Sequence, residues 1–185
     1  MNKSSRLARA ALLTGALVVL VLVGVRWWAS RAPRGVVASL PADSTQAGMR
    51  SMTLYFPDPL GERLMSETRE MLEQETLHER TAQLVQALGE GPTRGGVTIL
   101  PTGTAVMHAY LDDQGLLTLD LTGAFRQAFT GGARTEELAV GSLLRTLSDN
   151  LPEVKRVQLI CGGTPITSLA GHLPLDRPLD PHDWP

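Results

Sequence analysis

The side chains of this 185-residue chain that could do chemistry are four histidines, one cysteine and a small set of aromatics and carboxylates. His108 and Asp120 fall in two neighbouring runs of alternating apolar residues, where a base and an orienting carboxylate could meet across strands. Acid–base catalysis also needs a cleft and a bound substrate, so a cross-strand charge pair is the plainer expectation. Asp120 could equally cap the turn at residues 122–124. His172 is followed by Asp176, Asp180, His182 and Asp183, all metal-ligand types, yet Pro174, Pro178 and Pro181 hold the segment extended and no compact ligand spacing results. Cys161 lies on the apolar side of a strand pattern, which makes it an inert buried thiol. The run EGPTRGG (90–96) is glycine-rich but lacks the phosphate-loop frame, and Pro92 has no N–H to give. Tyr55, Tyr110 and Trp184 could stack on a sugar or small ligand, a thin supply for an aromatic platform. No nucleophilic triad is recognisable. The inventory therefore predicts no enzyme, no cofactor and no metal, with Tyr55, His108, Tyr110, Asp120 and His172 as the candidate ligand or partner surface.

The elements that must carry these residues follow from apolar periodicity. Val140, Leu143, Leu144, Leu147 and Leu151 recur at spacings of three and four, the mark of one helical face. Thr135 is the expected N-cap, Glu136 and Glu137 complement the helix dipole, and Asn150 with Pro152 marks the stop. Arg156–Cys161 reads as a core strand with Val157, Leu159 and Cys161 inward. Thr104–Leu111 and Leu116–Leu121 read as a hairpin, with Met107, Ala109 and Leu111 facing inward on the first strand. Leu111 opposite Leu117 places His108 across from Asp120, and a two-residue shift would place it across from Thr118. Met52–Phe56 alternates as a half-buried strand, while Leu64–Gln74 fits either an exposed helix or an edge strand. Thr76–Leu88 is a helix with a Thr76/Glu79 capping box, a Leu77, Leu84, Val85 and Leu88 stripe, and Gly89 at its C-terminal cap. Val97–Leu100 is a further short strand, and Thr122–Phe129 a short helical excursion. The proline-rich tail is expected to lie along the domain surface.

Charge is divided along the chain. The first 34 residues carry six basic side chains and no acidic one, leaving 11 basic against 19 acidic in the remainder. An acidic domain with few aromatics is a poor match for nucleic acid. Residues 10–25 are apolar, flanked by Arg9 and Arg26 and followed by Trp27 and Trp28 in an interfacial position. Residues 1–28 therefore read as an uncleaved transmembrane signal anchor, since the Trp pair and Arg26 stand where a signal-peptidase site should be. Residues 29–50 form a linker, 51–180 a domain and 181–185 a tail. The basic flanks are nearly balanced, and the expected layout is a single pass with the domain on the outer side of the cytoplasmic membrane.

The ordered segments LYFPD (54–58), QALGEGP (86–92), LPTGT (100–104), LTLDLTGAF (117–125), the run 136–159 and LAGHLPLDRPL (169–179) resemble the GerMN domain of spore-germination and sporulation lipoproteins. The resemblance spans residues 50–180. It implies an α+β (α/β) two-layer domain similar to the ring-building motifs of envelope complexes, with two helices on one face of a small mixed sheet. It also implies an extracytoplasmic location and no catalytic residues, and because it extends through LAGHL it gives His172 a place closing the tail onto the sheet. The namesakes carry tandem copies and a lipid-modified cysteine, whereas this chain shows one copy behind an apolar span. The expectation is a membrane-anchored interaction or scaffold domain in a cell-envelope or sporulation-type assembly, with other envelope proteins or a second copy as partner and the bilayer held through the leader. The alternative is a module binding cell-wall glycan or a small ligand; an envelope enzyme ranks last.

Overall fold

The computed structural model describes residues 48–185. The membrane segment expected over 1–28 and nearly all of the linker lie outside the described residues, and within them no helix is long and apolar enough to cross a membrane. The chain runs β1 (Met49–Pro57), β2 (Leu64–Leu72), α1 (Leu77–Glu90), β3 (Val106–Leu111), β4 (Leu116–Leu121), a one-turn α2 (Ala124–Gln127), α3 (Ala133–Asn150), β5 (Arg156–Cys161), β6 (Thr164–Pro165) and a 3-10 turn at Pro181–Asp183.

The strands divide between two sheets where one was expected. β1 and β2 form an antiparallel hairpin of their own, and β3-β4-β5-β6 form a mixed sheet in which β4 and β5 run parallel. Helix α3 lies against β1, and α1 lies against β3 and β1. The core comes from the inward faces of three strands: Met52, Leu54 and Phe56 from β1, Leu117, Leu119 and Leu121 from β4, and Val157 and Leu159 from β5. Against these pack Leu84, Val85 and Leu88 of α1 and Val140, Leu143, Leu144 and Leu147 of α3. Full burial of each such side chain contributes roughly 1.5–3 kcal/mol before chain entropy is subtracted.

One open alternative resolves and four local expectations change. Leu64–Leu72 is a strand, because its inward residues find β1 beside them. Residues 97–100 hold no strand. At β3 a bulge between Val106 and His108 turns Met107 out, so Val106 rather than Met107 meets Leu121. Helix α3 starts at Ala133, two residues before Thr135, and its N-cap is Gly132, which offers no side-chain bond. Helix α1 keeps its capping box but runs through Gly89 to Glu90, and Gly91 is the cap, with φ 88 and ψ 176, a region essentially reserved for glycine. A Cβ at Gly91 would stand 2.0 Å from Thr98 Oγ1. Gly91→Ala should therefore cost about 1–2 kcal/mol in urea unfolding, and Gly89→Ala, in open space, should cost nothing.

The tail is more than surface cover. Leu175 and Leu179 are buried in the core, and Val157 exchanges backbone bonds of 2.9 and 2.8 Å with Leu179, closing the edge of β5 beyond β6.

Candidate functional site

The outward side of the four-stranded sheet brings His108 and Asp120 into register, as the hairpin pattern predicts. His108 Nδ1 stands 3.5 Å from Asp120 Oδ2, with the imidazole 80% exposed and the carboxylate 9%. Asp120 is committed elsewhere: its oxygens accept the Gly163 N–H at 3.1 and 3.2 Å, so it holds the β5–β6 turn rather than the turn at residues 122–124. An imidazole in open solvent beside a carboxylate already used in the fold makes a weak surface pair. His108→Ala should change stability by less than about 1 kcal/mol, measured by urea unfolding, whereas Asp120→Ala also frees the turn and should cost more.

The other candidates do not converge on this pair. Tyr110 lies two residues along β3 and is 67% exposed. Tyr55 faces α3, where its hydroxyl donates to Asp149 Oδ2 and the Arg145 guanidinium sits 5.1 Å from its ring centroid. Burial, and then the Asp149 carboxylate, push the phenol's pKa up. Tyr55 is thus engaged in the fold. Trp184 is half-buried and packs against the core. Cys161 is half-buried, with its thiol pKa raised by burial and by Asp120, which keeps it protonated and unreactive. In the tail, Asp180 accepts the His182 N–H at 2.9 Å and sits 3.0 Å from its ring, a local turn contact. Among the described residues no group of three or more His, Cys, Asp or Glu is placed to hold a metal ion.

His172 leads to what periodicity missed. Its side chain is exposed, but its backbone N–H donates to Glu136 Oε2 at 3.1 Å. Glu136, in the first turn of α3, is completely buried. Its carboxylate also accepts from Ser168 Oγ at 2.9 Å and the Leu169 N–H at 2.8 Å. Burial alone would raise its pKa, yet the hydrogen bonds from Leu169, Ala170, Ser168 and His172 outweigh it and hold the pKa below the ordinary carboxylate value. The loop 168–172 is thus wrapped on a buried anion at a helix N-terminus.

A second missed feature runs along α3. Ser142, Thr146 and Asn150 are buried at intervals of four, facing the edge of β1. Ser142 Oγ donates to Tyr55 O at 2.6 Å and Thr146 Oγ1 accepts the Tyr55 N–H at 3.1 Å. Asn150 takes both groups of Thr53, accepting its N–H at 3.0 Å and donating to its C=O at 2.7 Å. Four helical residues rise about 6 Å and two strand residues about 6.8 Å, so the ladders stay in step for two rungs. The helix takes the place of a third strand.

On the far side of the hairpin a groove of about 560 Å³ lies between β2 and α1. Met71, Leu72 and Ala87 line it together with Glu70, Glu79 and Glu90.

The architecture has known counterparts. The tandem GerMN domains of the sporulation protein GerM from Bacillus subtilis match with a TM-score of 0.61 at 19% identity, over 74% of this chain and 48% of that one. This chain therefore spans about half of the tandem structure. The first GerMN domain of the same protein matches with a TM-score of 0.59 at 20% identity, over 71% of this chain and 97% of the other. A candidate lipoprotein from Clostridium perfringens gives 0.52 at 21% identity, over 75% and 91%. At these identities the likeness is one of fold. No curated protein matches significantly. In sequence, residues 53–167 match the family model Germane, described as sporulation and spore germination, and the chain belongs to that family.

Proposed function

We propose that this chain is a membrane-anchored, non-catalytic interaction domain on the outer side of the cytoplasmic membrane, serving a sporulation-type or general cell-envelope assembly. The observation that carries the reading is how the polar groups are used. Asp120, Glu136, Ser142, Thr146 and Asn150 are buried and spent on holding turns, a loop and a strand edge. Meanwhile the outer surface of β3 presents Tyr110 and Met107, 67% and 44% exposed, to solvent. Such a surface suits a partner better than a reaction. The apolar leader supplies the anchor, and the family's sporulation description supports the setting. Chemical crosslinking in intact membranes followed by purification of the full chain should return adducts with another envelope protein or a second copy. Recovery of the uncrosslinked monomer alone would count against the reading.

A second reading, a small-ligand or wall-glycan module, draws on the cleft of about 490 Å³ beside the tail, lined in part by Trp184, Arg156 and Arg177. Binding of the chain to purified peptidoglycan, lost in Trp184→Ala and retained in Tyr110→Ala, would raise it above the first.

A further inference from the structure

We propose that the outer edge of β2 is a docking site for an extended segment of another polypeptide, one that alternates apolar side chains with Lys or Arg and joins the hairpin as its third strand. The inference rests on the interaction-domain reading and names a surface and a partner chemistry for it.

The backbone of β1 dictates which groups β2 turns outward. Thr53 and Tyr55 point their N–H and C=O groups at α3. In the register they stand opposite Thr68 and Ser66. Residues directly opposite in an antiparallel pair exchange both bonds or neither. Ser66 and Thr68, and by the same alternation Glu70, therefore direct their backbone groups away from β1. All three residues are exposed. Among the described residues no hydrogen bond to these outward groups is found; at the end of the same edge, Leu72 O is met by Gln83 Nε2 at 3.0 Å.

The fold covers comparable edges. α3 seals β1, Leu179 and β6 seal β5, and β3 is blunted by its bulge. The β2 edge instead borders the groove against α1. A strand laid about 4.8 Å from β2 would send alternate side chains over that groove, where Met71, Leu72 and Ala87 meet them. The carboxylates of Glu70, of Glu79, which also caps α1, and of Glu90, which also accepts from Gln86 Nε2 at 2.9 Å, select for cations, His78 being the one basic side chain among the groove residues. They also disfavour a second copy, which would bring this acidic border against its own like.

The test uses the full-length chain in detergent and two acetylated nine-residue peptides, one alternating Val with Lys and the other Val with Glu. The Val/Lys peptide should slow amide exchange at Ser66, Thr68 and Glu70 at least tenfold, and the Val/Glu peptide should not. Thr68→Pro removes an outward N–H that the fold does not use. It should weaken Val/Lys binding at least tenfold with Tm unchanged. If that variant does not fold, the double change Glu70→Lys with Glu90→Lys should invert the peptide preference. Equal protection by both peptides, binding untouched by Thr68→Pro, a preference unmoved by charge reversal, or absence of binding would overturn the proposal. So would slow exchange at those three amides in the peptide-free chain, since the edge would then already be occupied. Any of these results alongside retained crosslinks to an envelope partner would remove this surface and leave the broader reading in place.

Discussion

Asn150→Leu should destabilise the domain by about 3–4 kcal/mol, although it exchanges a polar side chain for an apolar one of similar size at a site only 6% exposed. If burial alone set its worth, the exchange would be neutral or stabilising. Asn150 instead answers both backbone groups of Thr53, and its loss leaves a donor and an acceptor without partners. Each costs about 1–3 kcal/mol when stranded, and the added apolar contact offsets a part. Ser142→Ala and Thr146→Val each remove one partner and should cost about 1 kcal/mol. Urea unfolding of the three variants gives the ranking. Amide exchange at Thr53 and Tyr55 gives the cause, since those amides should lose protection first. An Asn150→Leu protein as stable as the parent would mean that the ladder does not hold β1 to α3.

Glu136→Gln should cost about 2–3 kcal/mol near neutral pH, with the cost shrinking as the solution is acidified. The carboxylate presents acceptors to the N–H groups of Leu169 and His172 and to Ser168, and an amide replaces one oxygen with a donor. The sign follows from the direction of the pKa shift. The folded pKa lies below the ordinary value of 4.5, so its stabilising contribution is fully present above that value and is lost as pH falls through the folded pKa. Other carboxylates with lowered pKa values, among them Asp58, Glu67 and Glu79, weaken both proteins in acid alike. The difference between parent and variant against pH therefore isolates Glu136. A constant difference from pH 7 down to pH 3 would show that the loop is not held by the ionised carboxylate.

What the sequence reveals and what it hides follow one physical line. Apolar spacing marks the elements because burial is non-directional and needs only a face: Leu117, Leu119 and Leu121 define β4, and Val140 to Leu147 define the core side of α3. Matching two such faces also placed His108 opposite Asp120. Buried hydrogen-bonded groups leave no comparable trace. Ser142 and Thr146 leave no mark in the apolar spacing and Asn150 marks only the helix end, because a polar residue facing a strand edge and one facing water look alike in a helical pattern. A repeat of small polar residues at intervals of four beside the apolar stripe is the signal that could have found them. Glu136 read as a dipole partner, since its loop arrives 32 residues later. The prolines of the tail exclude a helix but say nothing of Leu175 and Leu179 reaching the core. Two sheets instead of one is likewise invisible, because strand patterns do not state which neighbour each strand chooses.

The domain is expected to work by being held. A photoreactive residue placed in turn at Thr68, Met107 and Tyr110 of the chain, expressed in intact cells, tests this most directly. The expected result is a discrete adduct of fixed mass from one or more of these positions, with core substitutions ruled out by an unchanged melting temperature. Uncrosslinked monomer from all three positions, together with turnover of a wall substrate by the same purified chain, would contradict it.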